Sequence, residues 1–162
     1  MTATAPLPRS APEPAAIPDE SVPHGLTAAA KAWPERIAID FMRSTLTYRE
    51  LEERVARAAQ ALLDLGVRPG DRVALALPNC TTHVVAFYAT LRIGGIVVEH
   101  NPTYTSAQLT HQLADSGARF AIVWEKSARA ALAARRGSTL ETVIAVNVAG
   151  DRVSFSAVIL RT

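Results

Sequence analysis

Leu91-Arg92-Ile93-Gly94-Gly95-Ile96-Val97-Val98-Glu99-His100-Asn101-Pro102-Thr103-Tyr104-Thr105-Ser106 is the stretch on which the reading of this chain turns. It reads as a helix end, a double-glycine turn, a short buried strand, and an Asn-Pro loop that opens the next helix. Thr105 and Gln108 have capping-box spacing, so the following helix should start at that threonine and run through Leu109 and Leu113 to Gly117.

Outward in both directions the same rhythm repeats. Upstream, Arg72 to Leu77 suits a buried strand ended by Pro78, and Asn79 is placed to cap a helix running to about Ile93. That helix is apolar on most sides (Val84, Val85, Phe87, Tyr88, Leu91, Ile93), which predicts burial between layers. Downstream, Arg119 to Trp124 is a strand, Ser127 caps an Ala-rich helix ending at Gly137, and Glu141 to Val148 is a further strand. Beyond Gly150, Val153, Phe155 and Ala157 alternate like a hairpin strand. Strands near 72, 96, 119 and 141 alternating with helices predict an α/β fold with a mostly parallel sheet and right-handed crossovers.

Earlier still lies the clearest helix. Thr47 and Glu50 form its capping box, Leu51, Val55, Ala58, Leu62 and Leu65 give one buried face, and Gly66 closes it. Glu52 and Glu53 are expected to face solvent. Arg36 to Phe41 and Ser44 to Thr47 read as a hairpin, and Gly25 to Trp33 as a short amphipathic helix stopped by Pro34. Residues 1–23 hold six of the ten prolines and are expected to form a disordered leader.

The totals narrow the function. A chain of 162 residues is long enough for one domain with a real core, and 49% hydrophobic with 20% charged residues fits a globular protein. A net charge of +2, with scattered cations, argues against a nucleic-acid partner. The apolar run Val84 to Ala89 is too short for a transmembrane segment, and no secretory pattern opens the chain. Cys80 is the only cysteine, so a reducing, cytoplasmic setting is the simplest expectation.

No chemistry emerges from spacing. There is no G-x-G-x-x-G, no Walker-type phosphate loop and no G-x-S-x-G elbow. Gly94-Gly95 lies between a helix and a strand, the wrong order for a dinucleotide fingerprint, and reads as a tight turn. His24, His83, His100 and His111 lack metal-ligand spacing. His100 falls beyond the carboxyl end of a strand, where α/β sheets bind ligands, but a lone loop histidine is expected to be solvated. Cys80 sits at a helix start with no convincing base and reads as a small, semi-buried residue. Glu99 and His100, being adjacent on an extended chain, should point opposite ways.

Four landmarks in order carry a resemblance. Leu46-Thr47-Tyr48-Arg49-Glu50-Leu51 looks like the first core motif of the AMP-forming adenylating enzymes, which include acyl-CoA synthetases, luciferases and peptide-synthetase adenylation domains. Gly66 to Ala74 resembles the glycine-to-GDRVA run that follows it, and Leu77-Pro78-Asn79 the family's LPN. Leu91 to Tyr104 is similar to the second core motif, in the form typical of long-chain and medium-chain fatty-acid–CoA ligases.

The resemblance covers roughly residues 24–148 and implies the N-terminal α/β subdomain of such an enzyme's large domain, with 149–162 a divergent or truncated tail. It implies a reaction in which a carboxylate attacks the α-phosphate of ATP-Mg, giving an acyl-adenylate that coenzyme A then captures as a thioester. ATP, Mg²⁺ and CoA are thus implied for the full-length enzyme, and none is expected to be bound by this piece alone. The family's phosphate-embracing loop, its adenine and ribose motifs and its catalytic lysine have no counterpart in these residues. No catalytic, cofactor-binding or metal-ligating residue is therefore assigned, and the chain alone is expected to be inactive. The alternative is a free-standing α/β binding or interaction module. As a fragment without its neighbouring subdomain, the chain would leave sheet edges and apolar helix faces exposed and self-associate, whereas a cooperatively melting monomer would favour the module.

Overall fold

The computed structural model describes residues 21–147 and 158–160. The readings made for residues 1–20, for the strand about Val153 to Ala157 and for most of the 149–162 tail lie outside them. Five helices and seven strands follow in order: α1 Val22–Ala32, β1 Ile37–Phe41, β2 Ser44–Thr47, α2 Tyr48–Asp64, β3 Arg72–Ala76, α3 Thr81–Arg92, β4 Ile96–Glu99, α4 Ser106–Ser116, β5 Phe120–Trp124, α5 Ala128–Ala134, β6 Thr142–Val146 and β7 Val158–Leu160. Short 3₁₀ turns, Glu125–Ser127 and Arg135–Gly137, flank α5. The first helix starts three residues before Gly25, with a proline in its first turn, where a missing N–H costs nothing.

The main sheet has the order β4-β3-β5-β6-β7. Its first four strands are parallel and β7 runs antiparallel to β6. Alternation along the strands sorts side chains by size. Val73, Leu75, Leu77, Phe120, Ile122, Ile144 and Val146 pack in one core with α1, α2 and α3. Ala74, Ala76, Ala121, Val123, Val143 and Ala145 face the other way, toward α4 and α5. Small residues on that face let Leu109, Leu113, Ala131 and Ala134 come close, as dense packing requires. β1 and β2 form a separate antiparallel hairpin, and its turn holds Met42 (φ 48°) and Arg43 (φ 70°) in the left-handed region that a two-residue hairpin demands.

Both predicted capping boxes are present, Thr47 with Glu50 and Thr105 with Gln108. At α3 the cap is Cys80 rather than Asn79, and its side chain makes no capping bond. α3 is also not enclosed among the described residues. Thr82, Val85, Ala86, Ala89 and Thr90 are buried, whereas Val84, Phe87 and Tyr88 are half-buried. Nor is β4 a buried strand. It is the outermost of the sheet, and Ile96 is 46% exposed.

Two polar clusters tie elements together. Arg92 of α3 donates to Glu52 Oε2 of α2 (2.6 Å) and to Thr27 Oγ1 of α1 (3.3 Å). Glu52 is thus half-buried and engaged, against the expectation that it faces water; Glu53 is exposed. At the amino end of the sheet, Arg119 forks onto Glu141 (2.8 and 2.9 Å) and reaches Asp71 (3.0 Å). The guanidinium's N–H groups hold the Glu141 carboxyl below its usual range, and Glu141 in turn raises Arg119.

The glycine pair makes the tight turn expected of it. Gly94 has φ 75°, its carbonyl accepts from Gly70 N (2.8 Å), and Ile96 N donates to Asp71 O (2.8 Å). A Cβ on Gly95 would lie 2.9 Å from Thr90 Cγ2 and 3.0 Å from Thr90 O. Thr90 is fully buried and cannot swing away, so Gly95→Ala is expected to destabilise by about 1–3 kcal/mol in urea unfolding. Arg92→Ala leaves the Glu52 carboxylate half-buried without its cation. A loss of about 1–3 kcal/mol is expected, between the values for exposed and buried pairs, and Glu52→Gln in the same background should recover part of it.

Candidate functional site

A parallel sheet offers its crevice where successive connections leave to opposite sides. Here α3 carries the chain from β3 to β4 over one face, and α4 carries it from β4 to β5 over the other, so the crevice falls at the carboxyl ends of β3 and β5. The chain's own loop covers it. His100 N donates to Leu75 O on β3 (2.8 Å), and two residues later Pro102 O accepts from the hydroxyl of Ser127, just past β5. The 100–105 segment is therefore a strap running from the edge strand across the end of β3. Asn101 Oδ1 stiffens it by accepting from Thr103 N (2.9 Å) and Thr103 Oγ1 (2.8 Å), and Thr105 ends it as the cap of α4.

Ser127 was expected to cap the Ala-rich helix. It makes no side-chain cap; its backbone is already helical and its hydroxyl is committed to Pro102. His100 departs further from expectation. It lies at the carboxyl end of a strand as expected, but it is only 6% exposed. Glu99 pairs with α3, so alternation sends His100 to the opposite face, one step along the register beside Ala76. Among the described residues neither ring nitrogen has a hydrogen-bond partner. Burial pushes its pKa below the ordinary 6.5, only partly opposed by the negative charge of Glu99. No local pattern announces this burial, because the strap's path is fixed by a contact with Ser127, far along the chain.

The open cavity lies instead on the α3 face. It measures about 490 Å³ and sits between the β1–β2 hairpin, the start of α3 and the end of β4. Ile39, Phe41, Val84, Phe87 and Tyr88 make it apolar, and Asn79, Cys80 and His83 line it too. His83 Nε2–H donates to Glu99 Oε1 (2.9 Å), joining α3 to β4. Cys80 is half-buried there, as its sequence context suggested. Asp40 and Glu99 are the carboxylates of the lining, and His83 its only basic side chain. This chemistry suits an apolar group flanked by a cation or donor and is wrong for a polyphosphate. His24 lies on α1 and His111 on α4, and no three His, Cys, Asp or Glu side chains gather to hold a metal among the described residues.

With fold and site in place, comparison with known proteins is informative. The family model described as AMP-binding enzyme matches residues 26–158. A long-chain-fatty-acid–CoA ligase of Salmonella typhimurium is 40% identical over 128 residues, covering 78% of this chain and 22% of that protein. A salicyl-AMP ligase / salicyl-S-ArCP synthetase of Mycobacterium tuberculosis is 43% identical over 103 residues, 60% of this chain and 18% of the relative. Among solved structures, a long-chain-fatty-acid–CoA ligase from Archaeoglobus fulgidus aligns with a TM-score of 0.75 at 26% identity, covering 86% of this chain and 29% of that one. The chain spans about a fifth of the length of the curated relatives it matches. A match over most of the chain, on a fold those structures share, makes this chain a member of the AMP-binding enzyme family.

Proposed function

We propose that these 162 residues are the N-terminal α/β portion of an AMP-forming fatty-acid–CoA ligase, and that on their own they catalyse neither adenylation nor thioester formation. The observation that carries the ligase reading is the family match over residues 26–158, with the 40% identity to a long-chain-fatty-acid–CoA ligase behind it. In the whole enzyme, ATP with Mg²⁺ would activate a fatty acid and CoA would take the acyl group. Adenylation makes a better leaving group, and cationic groups stabilise charge developing on phosphate.

The described residues do not fit ATP-Mg. The open cavity is apolar and flanked by Asp40 and Glu99, and the crevice at the carboxyl end of β3 is strapped over. No step is therefore assigned to a residue of this chain. Its part in the enzyme is to supply a rigid sheet and a packed helix layer on which the catalytic portion rests. No helix among the described residues is long and apolar enough to cross a membrane.

The test is ATP–pyrophosphate exchange with a long-chain fatty acid. The 162-residue chain alone is expected to show none above a no-enzyme control. A chimera in which residues 26–146 replace the matching segment of the Salmonella relative is expected to exchange. Exchange by the isolated chain would overturn the inactivity reading; a folded but inactive chimera would overturn the ligase reading.

A second expectation follows from the open edge. β4 offers unpaired backbone groups beside an exposed Ile96, so the isolated chain should self-associate in sedimentation velocity. Ile96→Lys, which charges that edge, is expected to shift the distribution toward monomer.

A further inference from the structure

His100 is buried at the carboxyl end of the sheet, at the start of the strap that covers the crevice between β3 and β5, and among the described residues neither of its ring nitrogens has a partner. We propose that His100 is the acid-sensitive anchor of this strap: uptake of a proton by its ring releases residues 100–105 and uncovers the carboxyl end of β3. A neutral imidazole is tolerated in an apolar site, although two unmade hydrogen bonds already penalise it. An imidazolium is not, because it carries a charge and two donors into a place where no acceptor meets them. Expulsion of the ring to water resolves this at the smallest structural expense, since the ring lies at a strand end and not within the strand.

Glu99 supplies the one compensating charge, and burial outweighs it. On β3 the register puts Ala76 next to His100, while Leu75, whose carbonyl accepts from His100 N, turns its side chain to the other layer; neither ionises. On β4, Glu99 is the one charged group whose field acts on His100, and it lies on the opposite face with its carboxylate engaged by His83. His111 and Asp115 of α4, Glu125 and Lys126 of the 3₁₀ turn, and Arg129 of α5 are exposed to water.

The anchors of the strap are the His100 N–Leu75 O bond, the Ser127–Pro102 bond, the packing of Tyr104 against the core under α4 and α5, and the capping box at Thr105. The sign is fixed by linkage. The buried ring has a pKa below the ordinary 6.5, so the released form takes up its proton first. The closed strap is therefore fully stable above pH 6.5 and loses stability as the pH falls through 6.5 toward the lower value of the buried ring.

The test uses the whole 162-residue chain. The His100 ring resonances are expected to titrate with a midpoint below 6.5, and the amide protection factors of His100, Tyr104 and Leu109 to fall by about tenfold or more between pH 7.5 and pH 5. Ile122, at the sheet centre, should keep its protection. In His100→Leu, protection of Tyr104 and Leu109 should change little over the same range. A midpoint at or above 6.5, equal losses in the variant, or a parallel loss at Ile122 would each overturn the proposal. Should His100→Leu fail to fold, the wild-type chain still decides, because Tyr104 protection must begin to fall near pH 6.5 and level off once the buried ring has titrated.

Discussion

β3 has water on neither face. Val73, Leu75 and Leu77 must be covered on one side and Ala74 and Ala76 on the other, and strands on both flanks satisfy its backbone. A parallel strand buried in this way needs a helix on each face and a neighbour at each edge, which accounts for most of the architecture. Its bulkier residues share a core with α2 and α3, and its alanines share one with α4 and α5. The Gly94-Gly95 turn belongs to the same scheme, since it must pass against Thr90 and Pro69 to start β4 in register with β3.

Much of this was legible because it is local. A threonine followed three residues later by Glu or Gln declares a helix start without reference to the rest of the chain, and both such starts, at Thr47 and Thr105, are where the residues place them. Alternation separated strands from helices for the same reason. What was not legible depends on which distant element comes to lie beside a residue. Glu52 looks like any solvated helix glutamate until Arg92, forty residues on, arrives beside it. Ser127 has the form of a helix cap, but Pro102 claims its hydroxyl. His100 looks solvated because a loop histidine usually is, and only the strap's crossing of β3 buries it. The strand at Ile96 to Val98 reads as buried from its composition, yet strand order makes it an edge, and order is not a property of the strand's own residues.

The family assignment and the cavity chemistry bear on each other. Relatives named as acyl-activating ligases are several times longer than this chain, and the part they share with it is rich in packing and poor in convergent polar groups. Val84, Phe87 and Tyr88 of α3 face the cavity, and Ile96 is exposed on the edge strand β4.

Arg119 gives the sheet a mechanical asymmetry. Its fork onto Glu141 and its reach to Asp71 gather the amino ends of β3, β5 and β6 at one cation, while among the described residues the opposite ends of β3 and β5 are joined by the 100–105 loop, held by hydrogen bonds and by Tyr104. A sheet fastened along one margin and loosely closed along the other behaves like a hand fan held at its pivot. Small rotations between strands sum to almost nothing at the pinned margin and to their greatest displacement at the free one. Any breathing of this domain is thereby directed to the margin that carries the strap, and no separate hinge is required.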